Sequence, residues 1–140
     1  MKILLAVDGS AYTKKMLAYL TTNLDMFSGE HEFTVLTVQG VLPPRARAAV
    51  GKEVVDAYYA EEGAKVLDPV IKYLSRHNLK VKSQAKVGNA GEVIAKTADS
   101  GKFDMVVMGS RGHGALGSLV MGSVATKVLA NCDVPVLLVR

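Results

Sequence analysis

Met105-Val106-Val107-Met108-Gly109-Ser110-Arg111-Gly112, followed after nine residues by Gly122-Ser123-Val124-Ala125-Thr126-Lys127-Val128-Leu129, decides the reading of this chain. The first four residues are apolar and read as a buried strand. The residues from Val124 on read as a helix. Between them lies a glycine-spaced loop. Glycines let a backbone come close to a ligand. The first N–H groups of a helix have no partner within it and point outward at an anion. A strand, a glycine loop and a helix start in this order are a device for holding phosphate.

Outward from that stretch, the pattern repeats. Residues 2–7 are a continuous apolar run ended by Asp8-Gly9-Ser10, a strand and its turn, with Ser10 placed to cap a helix. Met16, Leu17, Leu20 and Leu24 follow at helical spacing, and the segment ends near Phe27-Ser28-Gly29. Residues 32–38 are β-branched and apolar, a second strand. Gly40 to Arg47 reads as a loop by its prolines and basic residues. Residues 52–77 read as a helix, with a kink or break expected at Pro69. Residues 79–87 alternate, which predicts a strand with one exposed face. Residues 91–100 predict a short helix, 104–108 a fourth strand, a helix begins at 119 or 122 and runs to 131, and 134–139 are a fifth strand.

Strictly alternating strands and helices require parallel strands joined by right-handed crossovers. The expected fold is α/β: a single doubly wound, open, parallel five-stranded sheet of order 3-2-1-4-5, Rossmann-like, with helices on both faces. One domain over 1–140 is expected from the length. In such a sheet the ligand lies where strand order reverses, between the first and fourth strands. The loops there are Asp8-Gly9-Ser10 and Gly109 to Ser123, the most glycine-rich and polar strand exits in the chain. Pro135 argues that the last strand lies at an edge. A second copy of that strand would cover it, so a homodimer through residues 134–139 is expected.

Composition narrows the function. Apolar residues make up 49% and charged residues 21%, as in ordinary globular proteins. The net charge of +4 is mild, and the few aromatics are not interleaved with basic residues, so nucleic acid is not the expected partner. No apolar run is long enough to cross a membrane, and the N-terminal run is too short for a signal peptide, so a cytoplasmic location is expected. Cys132 is the single cysteine and reads as a small buried thiol.

Two short motifs fail on context. Gly112-His113-Gly114-Ala115-Leu116-Gly117 matches GxGxxG, but that fingerprint belongs to the first strand–helix turn. Gly117 to Ser123 resembles a Walker A loop but lacks its lysine. Taken whole, Gly109-x2-Gly112-x9-Gly122-Ser123 resembles the nucleotide signature of the universal stress protein family, in its ATP-binding subgroup. The resemblance extends over essentially the full chain. It includes Ile3-Leu4-Leu5-Ala6-Val7-Asp8-Gly9-Ser10, Leu36-Thr37-Val38, and Cys132-Asp133-Val134-Pro135-Val136-Leu137-Leu138-Val139. One departure is Ala6, where many ATP-binding relatives carry proline.

The resemblance implies ATP as the ligand, with Mg²⁺ carried by its phosphates. It implies that Asp8 faces the adenine or ribose and that Val38 packs on the base. Gly109 and Gly112 would let the loop wrap the ribose and phosphates. Gly122, Ser123 and Val124 would present backbone N–H groups, and Ser123 its hydroxyl, to the phosphates. Val7, Met108, Ser110 and Arg111 complete the candidate contacts, although Met108 reads first as core. Residue reading agrees at Ser123, which sits where a helix N-cap would be. Lys127 and Arg111 add positive charge nearby, and His113 reads as a solvated loop residue. Asp8 reads equally as a helix cap.

Binding is favoured over catalysis. Fast phosphoryl transfer needs a metal site, a positioned nucleophile and charge on the terminal phosphate, and no acidic pair stands near the loop. The expected role is a nucleotide-dependent regulatory module in a stress response. A slow ATPase or phosphotransferase using the same loop is the alternative. A flavin- or AMP-binding relative of the same architecture is a third reading.

Overall fold

A computed structural model describes residues 1–27, 29–113 and 120–140. The Gly114 to Gly117 part of the GxGxxG match, the start of the Walker-like match and a helix start at 119 therefore lie outside the described residues. Five parallel strands, β1 (Lys2–Ala6), β2 (Glu32–Gln39), β3 (Val81–Val87), β4 (Met105–Gly109) and β5 (Val136–Val139), form one sheet. Its order is β3-β2-β1-β4-β5, as expected. The helices are α1 (Ala11–Thr22), α2 (Pro44–Val50), α3 (Lys52–Arg76), α4 (Ala90–Ser100) and α5 (Ser123–Asn131). A short 3₁₀ turn at Leu24–Phe27 follows α1.

β1 sits at the centre, with Leu5 paired to Val35 of β2 and to Val107 of β4. Its alternation explains why it reads as an unbroken apolar run. Ile3, Leu5 and Val7 point into one core, shared with Met16, Leu17 and Leu20 of α1 and Leu67, Val70 and Leu74 of α3. Leu4 and Ala6 point into the other, shared with Ile94 and Ala98 of α4 and Ala125 and Val128 of α5. A strand covered on both faces has no side to leave polar.

Several expectations are corrected. The segment read as a loop over 40–47 holds the start of α2, which runs on to Val50, with Pro44 in its first turn, where its fixed φ suits a helix and its missing N–H is not needed. Gly51 at φ +83° separates α2 from α3. No break occurs at Pro69: α3 runs 25 residues through it. Pro69 is exposed while Leu67, Val70 and Leu74 are buried, so tertiary packing holds the helix despite the lost hydrogen bond. β3 is not half-buried. It is an edge strand, exposed at every residue but its first, because it lies at the margin of both helical layers. At the other edge, β5 starts at Val136. Pro135 lies just outside it and accepts a hydrogen bond from the Val106 N–H at 2.9 Å. Cys132 is only half-buried. Its thiol is pushed up from its ordinary pKa, chiefly by burial.

Candidate functional site

The chain turns back on itself at the carboxyl ends of β1, β2 and β4, and a cavity of about 370 Å³ opens there. Volumes in this range suit small-molecule sites. Strand parity builds its floor. The side chains of Ala6, Leu36, Val38 and Met108 emerge on the same face of the sheet, and Ile94 of α4 closes over them. Met108 is therefore both core and cavity wall.

The β2 backbone offers a polar edge beside this apolar floor. Val7 N–H donates to Leu36 C=O at 2.9 Å, and Gly88 N–H donates to Gln39 C=O at 2.9 Å. Even-numbered peptide edges of β2 thus face β1 and odd-numbered ones face β3. Pairing with β1 ends at Ala6 and Leu36. The N–H and C=O of Val38 accordingly face the gap that opens as the first strand turns away.

Asp8 stands at that turn and serves two loops. Its Oδ1 accepts from the Ser10 N–H and from the Thr13 hydroxyl, each at 2.9 Å. Its Oδ2 lies against Gly112, where a Cβ would come within 2.5 Å of it. Its carbonyl accepts from His113 Nε2–H at 2.6 Å, which places the proton on that nitrogen. His113 is exposed, as expected, and it also ties the two loops together. Asp8 is therefore not the cap of α1: it braces the turn that leads into the helix and presents its other carboxylate oxygen to the second loop. Ser10 caps α1 as expected, accepting from Thr13 N–H at 3.4 Å.

The ends of the second loop are pinned. Gly122 N–H donates to Ser110 C=O at 2.7 Å, and a Cβ on Gly122 would stand 3.2 Å from the Arg111 Cα. Gly109 is needed on the opposite face. A Cβ there would come 2.7 Å from the Cβ of Tyr12, so its absence lets α1 lie close to β4. Ser110 is a candidate that does not line the cavity. It is buried, its N–H donates to Val139 C=O at 2.8 Å, and its hydroxyl finds no hydrogen-bond partner among the described residues. The other candidates, Val7, Asp8, Val38, Met108, Gly109, Arg111, Gly112, Gly122, Ser123 and Val124, all border the cavity.

The three helices that start near the cavity are capped differently. Ser10 caps α1, and Asn89 caps α4 by accepting from Glu92 N–H at 3.2 Å. Helix α5 has Gly122 at its N-cap position, with no side chain to cap it. Ser123 is thus the first helical residue and not the cap. The first-turn N–H groups of α5 are left without a side-chain acceptor from a cap, at the cavity wall formed by Gly122, Ser123 and Val124. Lys127 is not directed at this end. Its amine pairs with Glu92 of α4 at 3.5 Å, and Gly91 makes room for its stem, since a Cβ there would meet the Lys127 Cβ at 2.5 Å.

Sequence reasoning missed the contribution of α4. Ala90 and Ile94 line the cavity, as do Thr13 and Leu36. The available signal was Gly88-Asn89-Ala90-Gly91, another glycine-bearing strand exit followed by a helix cap. Among the described residues, no group of three or more His, Cys, Asp or Glu side chains is placed to hold a metal ion, and no helix is long and apolar enough to cross a membrane.

An all-parallel, doubly wound α/β domain with its crevice at the strand-order reversal defines the class. The chain belongs to the universal stress protein family, whose sequence profile matches residues 1–140. It is 29% identical over 140 residues to universal stress protein MJ0531 of Methanocaldococcus jannaschii, covering 99% of this chain and 81% of that protein. Other matches take in less of the relative, and the chain spans 39% to 49% of the length of several curated relatives it matches. Among solved structures it is similar to MJ0577 of the same organism, with a TM-score of 0.82 and 27% identity over 99% of this chain and 94% of that one. It also shares its fold with a universal stress protein family member of Arabidopsis thaliana solved with AMP bound. That match has a TM-score of 0.70 and 15% identity over 99% of this chain and 90% of the other.

Proposed function

We propose that the cavity binds an adenine nucleotide, ATP with Mg²⁺ carried on its phosphates, and that the protein acts as a nucleotide-dependent regulatory module of a stress response. The observation that carries this reading is the α5 N-terminus: a helix start without a side-chain cap, on the wall of a cavity whose other end is apolar. Anions are stabilised at such a terminus by the free N–H groups and the helix dipole. The glycines fit the same purpose, because side chains at Gly112 and Gly122 would fill the space against Asp8 and Arg111. A base lies on the Ala6, Leu36, Val38 and Met108 floor. The N–H and C=O of Val38 then match the acceptor and donor along the adenine Watson–Crick edge. Asp8 Oδ2 is placed for a ribose hydroxyl. The bound AMP of the Arabidopsis relative supports an adenine nucleotide as the ligand class.

Binding without rapid turnover follows from the charges at hand. Phosphoryl transfer needs a positioned nucleophile and metal-held phosphates. Asp8 Oδ1 is already committed to Ser10 and Thr13, and Lys127 to Glu92. We place residues 1–140 in one nucleotide-binding domain, in the cytoplasm, acting as a homodimer. The exposed margin of β5, with Val136, Leu137 and Leu138 only partly buried, supports pairing with a second copy through residues 134–139.

The test is to purify the protein without added nucleotide, denature it, and chromatograph the supernatant on an anion exchanger. An empty preparation is then titrated with Mg-ATP. Near-stoichiometric ATP, or saturable binding in the titration, is the expected result. Release of ADP or AMP alone with measurable turnover moves the reading to a slow hydrolase. Failure of every adenine nucleotide to bind overturns it.

A further inference from the structure

Thr13 stands in the first turn of α1, outside the glycine signature, yet it borders the cavity. It is 4% exposed and closes a ring of hydrogen bonds with Asp8. The Asp8 N–H donates to Thr13 Oγ1 at 3.0 Å, and the Thr13 hydroxyl donates to Asp8 Oδ1 at 2.9 Å. The direction of both bonds is fixed, because a backbone N–H only donates and a carboxylate only accepts. The Ser10 N–H brings a second donor to the same Oδ1 at 2.9 Å. The Asp8 carbonyl is taken by His113 Nε2–H.

Three of the four polar atoms of Asp8 are thereby engaged. No hydrogen bond among the described residues reaches the fourth, Oδ2. An aspartate left to itself interchanges its two oxygens by turning about its last side-chain bond, a soft, two-fold torsion. Here that turn breaks both bonds to Oδ1, so the oxygen left over is always the one that faces Gly112. A carboxylate oxygen accepts and never donates, so what it takes from a ligand is a hydroxyl or an N–H. It repels phosphate. Asp8 at this cavity wall therefore suits the sugar of a nucleotide and not its phosphates.

We propose that Thr13 is a positioning residue for sugar recognition: by holding Asp8 Oδ1 it reserves Oδ2 for a ribose hydroxyl, and so sets a preference for an intact ribose over a sugar without its hydroxyls. This rests on the nucleotide reading above. Thr13 needs no contact with the ligand, because it acts through the orientation of the Asp8 carboxylate. Removing its hydroxyl frees that carboxylate to turn and leaves the Asp8 N–H without its acceptor. The base and the phosphates, held elsewhere in the cavity, do not depend on it.

The experiment is calorimetric titration of the full chain with ATP and with 2′,3′-dideoxy-ATP, in the native protein and in Thr13→Val and Thr13→Ser. Valine matches the shape of threonine without the hydroxyl, and serine keeps the hydroxyl. Circular dichroism checks the fold of each. The native protein is expected to bind ATP about tenfold or more tightly than the dideoxy nucleotide, as for a hydrogen bond to a charged group. Thr13→Val is expected to close most of that gap by weakening ATP, with the dideoxy nucleotide held within about threefold of native. Thr13→Ser is expected to keep the gap. An unchanged gap in Thr13→Val overturns the assignment, as does an equal loss for both nucleotides, the mark of a purely structural role. If Thr13→Val does not fold, Thr13→Ala takes its place. If the native protein binds both nucleotides equally, Asp8 does not read the sugar and this inference falls while the nucleotide reading stands. If it binds neither, the nucleotide reading falls as well.

Discussion

Gly112 and Gly122 are both loop glycines on the cavity wall, yet their surroundings differ. A methyl at Gly112 would strike the Asp8 carboxylate, which Ser10 and Thr13 hold in place and which therefore gives way only by losing those bonds. Gly112→Ala is expected to lower stability by about 1–3 kcal/mol, the cost of an overpacked contact, read as a lower midpoint in urea unfolding. At Gly122 a Cβ meets the Arg111 backbone at 3.2 Å, a smaller conflict, but the longer branches of valine enter the space where phosphate is proposed to sit. Gly122→Val is expected to cost about 1–2 kcal/mol of stability, through the tight backbone contact and a poorer helix N-cap, without unfolding the protein, and to abolish Mg-ATP binding in titration. Retention of binding would remove the phosphate from the α5 terminus. The glycine spacing was legible because backbone approach leaves a mark in the sequence. The orientation of side chains was not. Nothing in the spacing distinguishes Ser110, turned into the interior, from its neighbour Arg111 on the cavity wall. Likewise, only the folded chain shows that Gly109 is demanded by Tyr12 and Gly91 by Lys127.

Helix α3 is the element in which local propensity and tertiary packing disagree most. Pro69 removes an N–H from the interior of a 25-residue helix, and its ring crowds the preceding turn. The flanking residues Leu67, Val70 and Leu74 are locked into the core beneath the sheet, so the helix continues. Pro69→Ala restores the missing donor on an exposed face with no new packing conflict, and is expected to stabilise the protein by about 1–3 kcal/mol, part of the penalty proline carries in a helix interior. A rise in the thermal midpoint checks it, and an unchanged or lower midpoint would mean that proline's rigidity in the unfolded chain outweighs its native cost. The same competition explains what was legible among the elements. β1 and β4, buried on both faces, announce themselves as apolar runs. α2 does not, because seven residues with two arginines and a leading proline carry too little periodicity to stand out from a loop. β3 alternates like a half-buried strand, yet its exposure is set by its place at the sheet edge, which no local pattern encodes.

At the scale of the molecule, the sheet has two margins that are unpaired among the described residues and differ in character. β3 carries Lys82 and Lys86 and is largely polar, a margin that resists further pairing. β5 is Val136-Leu137-Leu138-Val139, short and wholly apolar. Val136→Asp is expected to shift the proposed dimer toward monomer or aggregate in light scattering, since it places a charge beside an apolar edge. An undisturbed dimer mass would place the interface elsewhere. Strand order itself was readable in advance, because alternating elements and right-handed crossovers leave few parallel arrangements. The central position of β1 has a consequence in time. Its two neighbours are made far apart: β2 follows within about thirty residues, while β4 leaves the ribosome about a hundred residues after β1. At the roughly 5–20 residues per second of synthesis, β1 waits several seconds with one flank unclaimed. During that wait the core shared with α1 and α3 can begin to form, lacking only its β4 and β5 residues such as Val107 and Val139, while the core shared with α4 and α5 cannot. The cavity, lined by residues from Ala6 to Ala125, draws on both halves and cannot close until the start of α5 has been made.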